Sequence, residues 1–174
     1  LGHSLGELTA ACVAGVFSFE DGLRLAAERG RVMAQTTPGL MLAAMLPPDK
    51  LAILLDKDLW LAAENGPKMS VASGLVDAVE GLERRLAAEG VATLRLASKN
   101  AFHTPLMADA AKAFRAAVAA TTRHAPKIPW LSNVSGTWIG AAEAQDPQYW
   151  ANQIVSPVRF TRNLAVLAER RRLL

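Results

Sequence analysis

The chain has 174 residues, 51% of them hydrophobic and 20% charged, enough to bury one sizeable core with room for a small second unit. Its formal net charge is +3, but the basic residues are scattered apart from Arg170-Arg171-Arg172, which reads as a solvated helix end, so no nucleic-acid partner is expected. No apolar run reaches the ~18 residues a membrane helix needs, no charged leader precedes an apolar segment, and the single Cys12 excludes an internal disulfide and fits a reducing, cytoplasmic compartment.

The first stretch, Leu1-Gly2-His3-Ser4-Leu5-Gly6-Glu7, contains Gly-x-Ser-x-Gly. In this nucleophile-elbow pattern a strand turns sharply into a helix and lifts a hydroxyl above a sheet. Glycines two residues either side let the backbone crowd the turn, and the helix beginning near Leu5 aims its amides where an oxyanion on an attacked carbonyl would sit. That helix is expected to run to Val16, slim along Leu8, Ala11, Cys12 and Gly15 and so suited to lying close on a sheet, with Cys12 a small buried side chain. An elbow needs a preceding strand, yet three residues stand before Ser4, so the chain reads as a fragment.

Ser18 with Asp21 offers a capping pair for a helix from Phe19 to Gln35. Phe19, Gly22, Leu23, Ala26, Gly30 and Met33 share one arc of it, and Glu20, Arg24, Glu28 and Arg31 the opposite one. Arg29 projects within the apolar arc beside Leu25, Ala26, Val32 and Met33. A guanidinium there is costly unless something anionic meets it, either a bound ligand or a buried Asp or Glu, or unless the side chain snorkels out.

Gly39 to Leu46 is an apolar run stopped by Pro47-Pro48, and a brief helix covers Lys50 to Leu55. Strands at Trp60 to Ala63 and Met69 to Ala72 join through a turn at Glu64-Asn65-Gly66-Pro67. A helix from Val76 to Glu89, closed by Gly90, leads to a strand at Ala92 to Ala97. The order βαββαβ is the ferredoxin-like unit. The fold expected is therefore α/β, with an α/β-hydrolase-like large subdomain from residues 1–38 and 99–174, truncated at both ends, and an inserted ferredoxin-like small subdomain at 39–98.

His103 precedes Thr104 and Pro105, a good N-cap and first helical residue for a helix through Ala120. Its imidazole can face a cleft at the junction of the two units or be an ordinary surface or capping residue. His124 reads as loop. A strand at Ile128 to Val134 and a helix at Asp146 to Ile154 follow, and Ser156-Pro157 caps a last helix with Leu164, Leu167 and Leu173 packed inward.

Leu1-Gly2-His3-Ser4-Leu5-Gly6-Glu7, Glu28-Arg29-Gly30-Arg31, Glu64-Asn65-Gly66-Pro67, Ala101-Phe102-His103-Thr104-Pro105-Leu106-Met107, Ser132-Asn133-Val134 and Ser156-Pro157-Val158-Arg159-Phe160 together carry a resemblance. In this order they resemble the acyltransferase domains of modular polyketide synthases, which are similar to malonyl-CoA:acyl carrier protein transacylases. The resemblance implies Ser4 as nucleophile, His103 as its general base and Arg29 as the clamp on the free carboxylate of an extender unit. It also implies that the Leu5 amide is half of the oxyanion hole, and that the backbone carbonyl of Gln153 orients the imidazole in place of a triad carboxylate. Side-chain change at Gln153 is then expected to be tolerated. The second oxyanion amide comes in the family from a Gly-Gln-rich loop ahead of the elbow. Without that loop and a closing strand, these 174 residues alone are expected to be marginally folded and poorly active.

The same resemblance bears on the substrate. Malonyl-selective members tend to carry His-Ala-Phe-His at the base, and methylmalonyl-selective ones Tyr-Ala-Ser-His, often with Gln after the nucleophile. Asn100, Ala101, Phe102 and His103 stand here with Leu5; the phenyl ring at 102, crowding the space of an α-methyl, points to malonyl, although Asn100 departs from the usual histidine. The expected substrates are malonyl-CoA and the phosphopantetheine arm of an acyl carrier protein, beside a ketosynthase and other synthase domains, with no metal and no permanently bound cofactor. A methylmalonyl-selective transferase, a serine thioester hydrolase and a non-catalytic docking module are the alternatives; the hydrolase has no need of Arg29.

Overall fold

In a computed structural model the described residues are 1–169; Arg170-Arg171-Arg172 and Leu173 lie outside them. Two bodies of packing organise the chain, one of helices and one around a sheet. The helical body joins α1 (Leu5–Val13), α2 (Phe19–Met33), α5 (Ala108–Ala119) and α7 (Pro147–Val155). Its core is Leu8, Phe17, Leu25, Val32, Phe114, Trp150 and Ile154, with Phe17 and Tyr149 set edge-on to Trp150.

The slim face of α1 meets α2 rather than a sheet. A Cβ at Gly22 would stand 2.3 Å from Cys12 Sγ, which shows how closely the two helices approach and why Cys12 is only half-buried. Ser18 caps α2 as expected, accepting from the Asp21 amide at 3.0 Å. The buried face of α2 is rotated from the expected arc. Gly22, Leu25, Arg29, Val32 and Met33 are inside, whereas Phe19 and Leu23 are 70% and 57% exposed. The expected arc centres on the bulkiest apolar residues, but the side facing α1 and α5 is what the packing buries.

Between residues 40 and 95 lie β1 (Leu40–Ala44), α3 (Pro48–Ala52), β2 (Leu59–Gly66), β3 (Met69–Gly74), α4 (Val76–Ala88) and β4 (Thr93–Arg95), with strand order β2-β3-β1-β4 and every pairing antiparallel. Alternation sorts the faces. Leu42 and Ala44 pack with Leu59, Ala72 and the α4 residues Val79, Leu82 and Leu86. Met41 and Val71 turn to the other face with Val158, Phe102 and Phe160. A register shift between Leu61 and Ala63 lets Ala62 and Ala63 both serve that second face, as an extra residue in a strand does.

The expected turn at Glu64-Asn65-Gly66-Pro67 is mostly strand: β2 continues to Gly66. It does so because β3 pairs with it as far as Gly66 opposite Met69; on its other edge Val158 adds in parallel, with Glu64 N–H donating to Val158 O at 2.8 Å and Val158 N–H to Ala62 O at 2.9 Å. Residues 156–159 are thus part of a sheet edge, and the last helix starts later than expected, as α8 (Phe160–Glu169). In α8 Leu164 is 40% exposed, not packed inward, and Asn163 takes the buried position.

The expected strand at Ile128 to Val134 is reduced to a single bridge, Leu131 to Trp138. The Ser132 hydroxyl accepts from the Val134 and Ser135 amides, closing a turn that ends the ladder. Among the described residues, every strand longer than such a bridge lies between 40 and 95. A short helix α6 (Ala141–Gln145), unanticipated because its apolar face is one buried alanine, Ala144, precedes α7, whose Asp146 cap accepts from Gln148 N–H. No described helix is long and apolar enough to cross a membrane.

Candidate active site

Five segments make the site: the elbow's own turn, the C-terminal half of α2, the loop before α5, the turn at Ser132–Asn133 and the C-terminal half of α7. Ser4 has φ 53, a left-handed conformation that costs a non-glycine residue about 1–3 kcal/mol and persists only where neighbours over-determine it. Two side chains do so. Asn133 Oδ1 accepts from Ser4 N–H at 2.7 Å, and Gln153 Nε2 donates to Ser4 O at 2.9 Å. Of the two glycines, Gly2 is required by space, since a Cβ would stand 2.0 Å from Gly6 O, whereas a Cβ at Gly6 would meet nothing within 4 Å.

The Ser4 hydroxyl lies 2.7 Å from His103 Nε2. His103 is itself left-handed at φ 61, and the Thr104 hydroxyl accepts from Leu106 N–H at the head of a 3-10 turn, Pro105–Met107. Its Nδ1 faces two carbonyls, Gln153 O at 3.2 Å and Ser156 O at 3.0 Å. Carbonyls only accept, so Nδ1 carries the proton and Nε2 offers its lone pair to the serine O–H. Two main-chain carbonyls thus do for this imidazole what a carboxylate does in a Ser-His-Asp triad. Burial, and then the positive charge of Arg29, push His103 down to about 4, against the pull of the two carbonyls. The imidazole is neutral and able to accept a proton throughout the physiological range.

That displacement gives an expected pH profile. The kcat/KM for acylation of Ser4, which reports ionisations of the free protein, should lose a factor of ten per pH unit through His103 only below about 4; any step near 7 belongs to the buried Glu7 carboxyl and levels off below it. A fall of tenfold per unit that sets in near the ordinary imidazole value of about 6.5 and continues to lower pH would show that His103 is not held in this buried position as the base.

Arg29 is 7% exposed, and its Nη2 donates to Ser4 Oγ at 3.1 Å and to Gln153 Oε1 at 3.4 Å. Among the described residues it has no carboxylate ion pair, so the structural partner that a buried arginine could have had is not there. Burial lowers it to about 10, with Glu7 opposing, and it remains a cation at neutral pH. The Leu5 amide heads α1 directly after Ser4. Gly6 N–H and Glu7 N–H turn back to His3 O and Ser4 O, leaving the Leu5 amide as the first of the helix beside Ser4.

The remaining expected residues fall out differently. Gln153 contributes its carbonyl, but its buried side chain also bonds Ser4, Arg29 and Glu7. The expectation that only its main chain matters is therefore wrong: a glutamine this enclosed cannot change without leaving acceptors and donors unmet. Phe102 packs between the helical core and the outer face of the sheet. Asn100 Nδ2 donates to Thr36 O and Thr36 Oγ1, both at 3.1 Å, so it ties this loop to the end of α2. The Leu5 side chain lines a groove between α1 and α2 with Phe19, Leu23 and Ala26. His3 reaches Asn65 Oδ1 at 2.8 Å and lies beside the Phe160 ring, joining the elbow to β2. No three described His, Cys, Asp or Glu residues come together as a metal would need.

Sequence reasoning assigns no role to Asn133, the Gln153 side chain or Glu7. Their signal is present as polar residues inside apolar stretches, at Trp130-Leu131-Ser132-Asn133 and Tyr149-Trp150-Ala151-Asn152-Gln153-Ile154. Nothing in that pattern says which polar groups meet.

A family model described as "Acyl transferase domain" matches residues 1–173. A phenolphthiocerol/phthiocerol polyketide synthase polypeptide of Mycobacterium tuberculosis is 35% identical over 167 residues, 96% of this chain and 11% of that protein. The acyl transferase domain of SpnD, solved in complex with 2-(pent-4-yn-1-yl)malonyl, superposes with a TM-score of 0.94 at 36% identity, over 98% of this chain and 41% of that one. The malonyl CoA-acyl carrier protein transacylase of Burkholderia pseudomallei gives 0.89 at 34% identity, over 98% and 61%. The chain therefore spans about a tenth of the synthase polypeptide and less than two thirds of each solved relative.

Proposed function

The chain belongs to the acyl transferase domain family, and from that premise we propose that it moves an extender unit, malonyl in preference to methylmalonyl, from CoA to the phosphopantetheine thiol of an acyl carrier protein. The observation that carries this reading is Arg29, a buried cation 3.1 Å from the Ser4 hydroxyl with no carboxylate ion pair among the described residues. A guanidinium so placed suits a carboxylate gripped at two points. A relative solved with a malonyl-type ligand supports the same class of substrate.

In the first half-reaction Ser4 Oγ attacks the thioester carbonyl carbon while its proton passes to His103 Nε2. The Leu5 amide faces the oxyanion, and collapse expels the CoA thiolate, which takes the proton back from Nε2. In the second half the carrier thiol gives its proton to His103 and attacks the acyl-serine, and as the ester bond breaks Ser4 Oγ takes that proton back from Nε2. As the substrate carboxylate meets Arg29 it offsets the positive charge that depresses His103, so the base strengthens as the substrate arrives. No resident cofactor or metal takes part. Residues 39–98 act as a small lobe beside the catalytic lobe of 1–38 and 99–174, in a cytoplasmic synthase that supplies the ketosynthase and carrier protein.

The match of Ala101-Phe102-His103 to malonyl-selective relatives supports malonyl, since a phenyl ring at this position would take space that an α-methyl needs. One methyl in an apolar pocket is worth about 1–3 kcal/mol, or roughly 10–200-fold. With labelled acyl-CoA and no acceptor, the full chain should accumulate malonyl on Ser4 at least about tenfold faster than methylmalonyl. Equal rates would remove the selectivity. Release of free malonate faster than label accumulates would favour a thioester hydrolase instead.

A further inference from the structure

Directly behind the elbow sits a carboxylate that none of the steps above uses. Glu7 is in the first turn of α1, three residues after Ser4, and is fully buried. Its Oε2 accepts from Asn133 N–H at 3.2 Å and from Gln153 Nε2 at 3.4 Å. Its Oε1 accepts from Trp130 Nε1 at 3.4 Å and from the Tyr149 hydroxyl, which also contacts Ser132 Oγ at 2.8 Å. Burial pushes the carboxyl up to about 7 even though all four donors pull it down. An acid kept in such surroundings is costly, and an apolar residue would fill the volume more cheaply were packing its only task.

The two residues on Oε2 are the two that hold the main chain of Ser4. Asn133 accepts from Ser4 N–H and donates to Gly2 O at 2.8 Å. Gln153 donates to Ser4 O, and its own carbonyl accepts from His103 Nδ1. The carboxylate also decides which way the Gln153 amide faces. With Nε2 toward Glu7 and Ser4 O, Oε1 is left for Arg29. The flipped amide would set oxygen against both the carboxylate and the carbonyl, and NH2 against a guanidinium.

We infer that Glu7 is a positioning residue for acyl transfer, holding the Gln153 amide and the Asn133 main chain so that Ser4 and His103 stay in register. This rests on the transferase reading, since the geometry it maintains is that of the proposed nucleophile and base. Glu7 itself touches neither the serine hydroxyl nor the imidazole. Its loss should lower kcat for acylation more than it raises KM, because misaligned reacting groups slow the step while Arg29, reached only through the Gln153 amide, keeps its charge for the substrate.

The test measures acyl-Ser4 formation from malonyl-CoA in the full chain for wild type, Glu7→Gln, Gln153→Met and the double variant, with a thermal melt of each. Glu7→Gln keeps the shape but turns one acceptor into a donor, and should lower kcat about 10- to 100-fold with a much smaller change in KM. Gln153→Met should do likewise, and the double variant should be no slower than the slower single one, because residues acting through one another do not multiply their losses. Multiplied losses, a raised KM with kcat intact, or wild-type kcat in Glu7→Gln would each overturn the inference. Should Glu7→Gln fail to fold, Tyr149→Phe removes one donor from the far side of the carboxylate and leaves the rest in place. A smaller fall in kcat that vanishes in the Gln153→Met background supports the role, and equal falls in both backgrounds, or none, overturn it. Wild type that forms no acyl-Ser4 would overturn the transferase reading and this inference with it, whereas labelled wild type beside an indifferent Glu7→Gln overturns this inference alone.

Discussion

Ser4→Ala should form no acyl-enzyme from malonyl-CoA and should lose on the order of five to six decades in transfer rate, since nothing else at the site can hold the acyl group. The hydroxyl is the one atom that both His103 Nε2 and Arg29 Nη2 reach, at 2.7 Å and 3.1 Å. The substitution removes that atom and little else. Alanine meets the same conformational cost at φ 53, and the bonds that hold the elbow run from Asn133 and Gln153 to its main chain. The variant should therefore melt close to wild type while mass spectrometry finds no acyl adduct. An adduct of equal yield in Ser4→Ala, or one mapped to another residue of the wild type, would sink the mechanism.

Arg29→Ala should separate substrates rather than abolish chemistry. If the guanidinium holds the malonyl carboxylate, malonyl loading falls by about two to four decades, the roughly 3–5 kcal/mol of stranding one partner of a desolvated pair. Acetyl-CoA, which brings no carboxylate, should load Ser4 as well as before or better. Removing the arginine also removes the charge that holds His103 low, so the acid limb of the acetyl profile should move up in pH. Arg29→Lys should fail with malonyl as well, because an ammonium keeps the charge without the two-point grip. A purely structural Arg29 predicts equal loss for both donors with a large fall in melting temperature. That outcome would remove the basis for a carboxylated substrate.

The anomaly that leads to Arg29 is legible because it is local. A guanidinium among Leu25, Val32 and Met33 on one helix face is a statement about periodicity, and α2 has only to form for it to hold. The capping pair Ser18 and Asp21, the Thr104-Pro105 helix start and the order of elements from β1 to β4 are readable for the same reason. The errors come where strand pairing or a side-chain bond overrides the expected pattern. β2 runs on to Gly66 because β3 pairs with it as far as Met69, and the stretch around Leu131 stops being a strand because Ser132 closes a turn.

By itself, then, the sequence determined what depends on neighbours along the chain: the elbow, the helix that carries the cation, the head of the helix after His103, and a set of linked motifs specific enough to place the chain in its family. Only the tertiary structure decided that Asn133 and Gln153 hold a strained serine from opposite sides, that two carbonyls accept from His103 Nδ1, and that Glu7 gathers four donors behind the site. Each of those contacts joins residues 50 or more positions apart. A buried polar group must find its partner wherever the fold brings one, and no spacing within a single element records which one that will be.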